Sequence, residues 1–274
     1  MIGPARLITT EVASRDGTEI ALDVSGDGSP LNLITGALSD RASDGRLVEL
    51  LAPEFTVFNY DRRGRGDSGD TPPYAVQREI EDLDAIIDAA AEPVLLYGSS
   101  SGANLAIQAA LSGLAITGLA LWEPNFIVDR SRPALPGDYV EHLHELVSAG
   151  RRGDAVEYFM TAAVGMPAEF VAPMRDAPFW PAQETLAHTL AYDGAVVSDN
   201  MSGKPLTAES WASVAVPTLI LDGSTVPWMS VGADALANVL PNAERRTLAG
   251  QTHDVAPEPV ADALTDFFGT DGRR

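Results

Sequence analysis

The chain has 274 residues and no cysteine. This absence excludes disulfide bonds, thiol nucleophiles and metal sites built on cysteine, and it is compatible with a reducing compartment. Basic side chains are also scarce, with 18 lysines and arginines against 39 aspartates and glutamates, so the formal net charge is −21. A surface this acidic disfavours nucleic acids and anionic membranes as partners.

Long apolar runs and targeting patterns are missing as well. No stretch approaches the length that crosses a bilayer. The first residues, Met1–Arg6, do not form a basic segment followed by an apolar one, as a secretory signal would. We therefore expect a cytoplasmic protein that does not bind membranes. Its 45% hydrophobic and 21% charged residues are typical of a globular chain that buries a full core.

The segment after Pro93 predicts a strand, a tight turn and a helix. An apolar run ends in the motif Gly98-Ser99-Ser100-Ser101-Gly102, and small helix-forming residues follow it. A nucleophile elbow requires both glycines, because side chains there would collide with the neighbouring strand and helix. Ser100 at the apex is therefore the candidate nucleophile. The alternative is a serine-rich loop in which the three serines are interchangeable.

Strands and helices alternate along most of the chain, beginning with a predicted antiparallel hairpin over 7–24. Further strands are predicted at 31–35, 55–60, 93–99, 116–122, 217–222 and 243–248, and helices at 47–51, 74–91, 103–110, 231–240 and 257–268. Such alternation indicates an α/β protein with a largely parallel sheet covered on both faces. Between 126 and 212 it stops. Helical patterns over 139–147, 155–163 and 185–190, among prolines and aromatics, predict a helical lid (126–212) inserted into a core domain (1–125 and 213–274).

A serine needs a base that takes its proton, and the chain offers four histidines. His142, His144 and His188 fall in the predicted lid, where surface or core positions are the usual role. His253 lies in the loop between the last predicted strand and the final helix. Loops at the carboxyl ends of parallel strands line the ligand crevice, so His253 should face Ser100 and act as the base.

Four features together resemble the α/β-hydrolase superfamily, and the resemblance covers nearly the whole chain. The four are the elbow, the arginine- and glycine-rich segment Asp61–Gly69 after a strand, the interrupting lid and the late histidine. The resemblance implies an eight-stranded, mostly parallel sheet with a helical cap. It also implies an oxyanion hole formed by the backbone N–H groups of Ser101 and Ala37, with Leu38 as an alternative to Ala37. Many relatives have His-Gly where this chain has Thr35-Gly36, which keeps a backbone donor but loses the packing of an imidazole.

The sequence leaves the carboxylate of the triad open. Most relatives carry an Asp in a Gly-x-x-Asp pattern after the seventh strand, where this chain has Val226. Glu123 ends the sixth strand, 23 positions after Ser100, which resembles the acid position of haloalkane-dehalogenase-like members, and it is our first choice. Asp222, which ends the seventh strand, is the alternative, followed by Asp254 or no acid at all, because geometry decides a triad.

The three arginines of Asp61–Gly69 suggest anion binding, but the segment lacks the ending of a P-loop and the spacing of a dinucleotide site. We interpret it as a structural loop whose arginines pair with acidic neighbours. No spacing of metal ligands occurs, so we predict neither a metal nor a cofactor. Several residues near the predicted sheet end or lid are candidates for substrate binding, although packing of lid on sheet would explain the aromatics equally well. They are Gly36, Leu38, Trp122, Phe126, Trp180 and Trp228.

The predicted function is a serine hydrolase for a small or medium, mainly apolar carboxylic ester, lactone or thioester. The serine at the elbow argues against the dehalogenase and epoxide-hydrolase branches of the superfamily, which use Asp there. Two alternatives remain. One is a cyclase, lyase or cofactor-free oxygenase-like enzyme that uses His253 as a base without an acyl-enzyme, and the other is a protein that only binds a small molecule. The expected partner is thus a small-molecule substrate, and a homodimer is compatible with the sequence.

Overall fold

The structure is a computed structural model that describes residues 7–269, and its centre is an eight-stranded sheet. The strands are β1 (Leu7–Ala13), β2 (Glu19–Ser25), β3 (Ser29–Ile34), β4 (Phe55–Tyr60), β5 (Val94–Ser99), β6 (Ile116–Trp122), β7 (Thr218–Asp222) and β8 (Ala243–Thr247). Their spatial order is β1-β2-β4-β3-β5-β6-β7-β8. The pairs of β2 with β1 and with β4 are antiparallel, and the other five are parallel. The predicted α/β-hydrolase sheet is confirmed.

The strand order reverses next to β3, and this reversal positions the crevice of the fold. The chain runs from β3 outward to β4 and then returns to β5 on the other side of β3, with Leu31 beside Leu95 and Ile34 beside Gly98. Crossovers leave in opposite directions at such a point, so a crevice opens at the carboxyl ends of the two strands. The loops after β3 and β5 therefore lie side by side.

Helices cover both faces of the sheet and fill the connection between β6 and β7. The α-helices are α1 (Gly45–Leu51), α2 (Val76–Ala90), α3 (Ser101–Leu111), α4 (Tyr139–Ser148), α5 (Arg152–Tyr158), α6 (Ala168–Val171), α7 (Trp180–Leu186), α8 (Leu190–Val197), α9 (Ala208–Trp211), α10 (Pro227–Val239) and α11 (Pro257–Phe268). Apolar residues of α1 and α11 pack on one face, and those of α2, α3 and α10 on the other. In α2, Ile80, Leu83 and Ile87 recur at helical spacing and form the buried stripe.

Residues 126–212, which we call the helical insertion, contain helices and short helical turns. The insertion has a core of its own that includes Tyr139, Leu143 and Leu190. The helix predicted from 155 to 163 is α5 followed by a π-helical turn over Phe159–Val164. Single π turns recur at functional sites, and this one borders the cavity described below. The boundaries of the insertion as a separate unit remain a prediction.

The arginines of Asp61–Gly69 are buried and paired with carboxylates, as expected of a structural loop. Arg62 binds Glu79 with two hydrogen bonds of 2.6 and 2.7 Å, and Arg63 binds Asp82 at 2.8 and 2.6 Å. Arg65 contacts a carboxylate of the helical insertion. The loop therefore connects the sheet to α2 and to the insertion.

Within the described part of the chain, no helix combines the length and apolarity needed to cross a bilayer.

Candidate active site

Ser100 occupies the turn between β5 and α3 with a strained backbone, φ 56° and ψ −123°. The turn requires glycine on both sides. A Cβ on Gly98 would lie 2.4 Å from the carbonyl oxygen of Gly102, and a Cβ on Gly102 would lie 2.2 Å from that of Ile34. The helix that follows directs its unpaired N–H groups and positive dipole end toward the serine. The motif therefore forms the strand–turn–helix of a nucleophile elbow.

His253 and Glu123 form a close pair at the same edge of the sheet. Nδ1 of His253 lies 2.7 Å from Oε2 of Glu123, and Oε1 of Glu123 accepts the backbone N–H of Gly223 at 3.0 Å. The carboxylate is fully buried, whereas 40% of the imidazole side chain is exposed. The indole Nε1 of Trp122 donates to the carbonyl oxygen of His253 at 3.0 Å and so anchors the histidine loop to β6. An imidazole held in this way keeps its Nε2 free for a proton transfer.

Asp222, the alternative acid, is engaged elsewhere. Its carboxylate forms an ion pair with Nη2 of Arg245 at 2.9 Å and accepts a hydrogen bond from the hydroxyl of Ser230. Burial alone would raise the pKa of Asp222, but the hydrogen bonds from Ser230 and Thr247 and the positive charge of Arg245 hold it below the ordinary value. The structure therefore brings Glu123, and not Asp222, to the imidazole.

The hydroxyl of Ser100 contacts a residue that the sequence analysis did not single out. Its Oγ donates to Oδ1 of Asn125 at 3.3 Å, and within residues 7–269 it makes no hydrogen bond to His253. Asn125 is held through its backbone by Asn104, whose amide accepts the N–H of Asn125 at 2.8 Å and donates to its carbonyl at 3.1 Å. The chain offers no motif that predicts this pair, because the two asparagines are 21 positions apart.

The two predicted oxyanion donors lie on either side of Ser100. The loop after β3 approaches so closely that a Cβ on Gly36 would lie 3.0 Å from the Cβ of Ser100. Within residues 7–269, the backbone N–H groups of Ala37, Leu38 and Ser101 make no hydrogen bond, so all three are available to a ligand. Ser101 is the first residue of α3, where a backbone donor has no partner inside the helix.

Backbone strain is concentrated around these groups. The described non-glycine residues with positive φ include Leu38, Ser100, Glu123 and Ser224, with values of 56°, 56°, 41° and 63°. All four follow a strand of the sheet at its carboxyl end, whereas Ala91, at 60°, ends α2. Conformations of this kind cost about 1–3 kcal/mol each and are characteristic of functional sites.

A cavity of about 430 Å³ opens above Ser100 and His253, under the helical insertion. Its lining is mostly apolar and includes Gly36, Leu38 and Trp228 from the predicted set. Four methionines also line it: Met160, Met166, Met201 and Met229. Methionine adapts its shape to varied apolar ligands, so this wall suits hydrophobic groups of more than one form.

Three predicted substrate contacts do not line this cavity. The side chain of Trp122 lies on the face of the sheet that α1 and α11 cover, and packs among their apolar residues. Phe126 is buried between the sheet and α10, where its ring meets Trp211 edge-on at 5.6 Å. Trp180 lies in the core of the helical insertion and donates to Glu184 at 2.9 Å. These aromatics are packing residues, because each is buried in a hydrophobic core and none lines the cavity.

Val226 and Asp254, two positions considered for the acid of the triad, both border the cavity. Val226, at the position where many relatives carry the acid, borders the cavity as an apolar wall. Asp254 also borders it, and its backbone carbonyl accepts the hydroxyl of Thr252 at 3.0 Å. No group of three or more histidine and carboxylate side chains in the described part of the chain could hold a metal ion.

Comparisons with known proteins agree with the fold. A family model described as "Alpha/beta hydrolase family" matches residues 33–263. The solved structure of an alpha/beta hydrolase from Sphaerobacter thermophilus is 54% identical, with a TM-score of 0.88, and the alignment covers 94% of this chain and 100% of that one. A thermophilic esterase from Thermogutta terrifontis is 21% identical with a TM-score of 0.68, covering 95% and 98%. An esterase from a Rhodococcus species is 20% identical with a TM-score of 0.66, covering 96% and 98%. No match was found among proteins with curated functions.

Proposed function

Because the chain belongs to the alpha/beta hydrolase family, we propose that it is a serine hydrolase that works through an acyl-enzyme. The observation that carries the proposal is the 2.7 Å contact between His253 and the buried Glu123, next to a serine at the apex of an elbow. The substrate would be a small or medium, mainly apolar carboxylic ester, lactone or thioester. Several structures of similar fold are named esterases, which agrees with this reaction class.

In the acylation step, the Ser100 hydroxyl turns from Asn125 toward His253. Oγ attacks the carbonyl carbon while Nε2 of His253 takes the proton. Glu123 accepts the Nδ1–H, keeps the imidazole in the required tautomer and stabilises the imidazolium that forms. The tetrahedral intermediate collapses, and the alcohol or thiol leaves with the proton of the imidazolium.

The developing oxyanion would be bound by the backbone N–H groups of Ser101 and Ala37. Each well-aligned donor of this kind contributes about 3 kcal/mol to transition-state stabilisation. In deacylation, a water molecule attacks the acyl carbon as His253 takes one of its protons. The proton then returns to Oγ of Ser100 as the carboxylic acid is released, which restores the starting enzyme.

The substrate class follows from the cavity. Its volume of about 430 Å³ lies within the range of about 300–1,000 Å³ typical of small-molecule pockets. The apolar wall favours hydrocarbon and aromatic groups on the acyl or alcohol side. Anionic substrates are disfavoured by the formal net charge of −21 and by the lack of an unpaired cation among the described residues that line the cavity.

The test is labelling of the purified protein with a fluorophosphonate, read by intact mass. We expect one adduct per chain in the wild type and none in Ser100→Ala or His253→Ala. Matched controls are Ser112→Ala, an exposed serine at the end of α3, and His188→Ala, whose imidazole contacts the carbonyl of Gly64. Both controls should label as the wild type does, and a panel of esters and lactones would then define the substrate.

The alternatives predict a different result. A folded protein that neither fluorophosphonate nor a smaller sulfonyl fluoride labels would favour a non-hydrolytic enzyme that uses His253 as a base, or a small-molecule binding protein. The smaller probe is needed because the insertion covers the cavity. Loss of labelling in His188→Ala equal to that in His253→Ala would instead show that the base has been assigned to the wrong histidine.

A further inference from the structure

Asp193, on α8 of the helical insertion, is a buried carboxylate for which the proposed reaction has no direct use. It is 3% exposed and borders the cavity. Oδ1 accepts hydrogen bonds from Oγ of Ser101 at 2.6 Å, Nη1 of Arg62 at 2.7 Å and Nη2 of Arg65 at 2.8 Å. Oδ2 accepts from the same Nη2 of Arg65 at 2.8 Å. With its oxygens occupied in this way, the carboxylate is not free to bind a substrate or carry a proton.

The charge of Asp193 is retained inside the protein. Burial alone would raise its pKa, but the positive charges of Arg65 and Arg62 hold the pKa below the ordinary value. The aspartate is therefore ionised at neutral pH and forms a charge-assisted set of hydrogen bonds, which is stronger than a neutral one.

The two arginines also bind the loop that carries the first oxyanion donor. Nη1 of Arg65 donates to the carbonyl oxygens of Gly36 and Ser39, and Nη1 of Arg62 donates to that of Thr35 at 3.3 Å. The Gly36 carbonyl and the Ala37 N–H belong to one peptide unit, and in a trans peptide they point in opposite directions. By holding the carbonyl, Arg65 sets the direction of the Ala37 N–H, which points away from the guanidinium.

We infer that Asp193 is a positioning residue for the oxyanion hole. From the helical insertion it holds Arg65, which orients the Gly36–Ala37 peptide, and through the Ser101 hydroxyl it holds the residue that carries the second donor. The oxyanion hole is thus complete only when the insertion is seated on the sheet. The inference rests on the proposed function, because it concerns the groups that would bind the oxyanion.

The pairing of the arginines shows which of them depends on Asp193. Arg62 keeps two hydrogen bonds to Glu79 whether or not Asp193 is present. Arg65 pairs with no other carboxylate in the described part of the chain. Asp193→Asn therefore leaves a buried guanidinium without its counter-ion. It also places an amide nitrogen, a donor, at the position where Oδ2 accepts from Nη2 of Arg65, which disturbs the fork that spans residue 193 and the loop.

Asp82 provides a matched control on the same arginine-rich loop. It is 1% exposed and binds Arg63 through two hydrogen bonds, so Asp82→Asn also removes a buried carboxylate from a buried arginine. Arg63 otherwise contacts Asp16 and the carbonyl of Arg78, and among the described residues it makes no hydrogen bond to 35–39. Because Arg63 keeps its ion pair with Asp16, the control reports the general cost of removing one buried carboxylate from a buried arginine.

The experiment compares the wild type, Asp193→Asn and Asp82→Asn with a p-nitrophenyl ester and with a trifluoromethyl ketone. Oγ of Ser100 adds to the ketone carbonyl as its proton passes to His253, and the hemiketal oxygen that forms mimics the oxyanion. We expect Asp193→Asn to lower kcat about 10- to 100-fold with KM within about threefold, and to weaken ketone binding in proportion. This is part of the 10²–10³-fold that one oxyanion donor contributes. Asp82→Asn should also lose thermal stability but keep kcat within about threefold.

Equal kcat values for the two variants would overturn the inference and make Asp193 a stability residue. If Asp193→Asn does not fold, Arg65→Lys decides, because lysine keeps the charge but cannot span Asp193 and the Gly36 carbonyl with one planar fork. A kcat within threefold of wild type in Arg65→Lys would likewise overturn it. A wild type that is not labelled by fluorophosphonate would instead overturn the proposed function.

Discussion

Replacement of Glu123 by glutamine tests the central contact of the proposed site. The side chain keeps its size, and a glutamine oxygen in place of Oε1 still accepts the N–H of Gly223. The amide nitrogen then takes the place of Oε2, the carboxylate oxygen that lies 2.7 Å from Nδ1 of His253. A donor now meets a donor, so the imidazole turns or adopts the other tautomer, and its Nε2 carries a proton when it should accept one.

The expected loss is large for activity and small for stability. In a serine protease, the acid-to-amide change at the equivalent position lowers kcat by about 10⁴. We expect a loss of about 10³–10⁴ in kcat here, or about 4–5.5 kcal/mol in the activation barrier. The free energy of unfolding should change by only about 1 kcal/mol, because the buried hydrogen bond to Gly223 survives and the cost of burying a carboxylate charge is removed, which offsets the lost contact with His253.

The assay is the rate of fluorophosphonate labelling and of p-nitrophenyl ester hydrolysis, measured beside thermal unfolding. Asp222→Asn is the matched control, since it removes the charge of the carboxylate on the neighbouring strand that pairs with Arg245. It should keep kcat within about threefold. A loss in Asp222→Asn as large as that in Glu123→Gln, with both variants folded, would refute the reasoning and transfer the role to Asp222.

Three further predictions concern the surroundings of the site and the stability of the fold. Asn125→Ala should change kcat less than about fivefold, because a neutral hydrogen bond of 3.3 Å contributes at most about 1 kcal/mol. A hundredfold loss of kcat in the p-nitrophenyl ester assay would contradict this. Gly98→Ala should abolish labelling and lower Tm, because its methyl group would overlap the next turn of the elbow, whereas Gly137→Ala, with nothing within 4 Å, should be neutral in both measurements. Burial raises the pKa of Asp44 to about 6, above an unfolded value near 4, so stability should fall as pH rises from about 4 to 6. Asp44→Asn should therefore leave Tm unchanged at pH 4 and stabilise the protein by about 1–3 kcal/mol at pH 7; equal gains at both pH values would assign the effect to something other than ionisation.

The regular part of the fold was predictable from local patterns. The strands β4 and β6 and the helix α11 have the bounds predicted for them, because short apolar runs and a single apolar stripe each permit one kind of element. The helical insertion was predicted less well. The helix expected over 185–190 is the junction of α7, a short 3₁₀ turn and α8. Helices that pack on one another, and not on a sheet, can break and restart wherever their shared core requires it.

The aromatic residues show where local reasoning stops. Trp122, Phe126 and Trp180 are candidates for substrate binding from the sequence because they lie near the predicted sheet end or lid, where packing of lid on sheet explains aromatics equally well. A strand turns successive side chains to opposite faces, and the face that Trp122 occupies is covered by α11. The methionines that line the cavity carry no periodic signal, because they are scattered between residues 160 and 229.

By itself, the sequence determined the elements, their alternation and the loops at which Ser100 and His253 stand. A Gly-x-Ser-x-Gly turn and a loop after a strand are local features, and parallel strands collect such loops at one edge. Only the tertiary structure decided that Glu123 and not Asp222 reaches the imidazole, and that Asp193 reaches Ser101 across 92 positions. Contacts of this kind depend on how helices and loops pack in space, and a change of one or two ångströms in that packing selects a different partner.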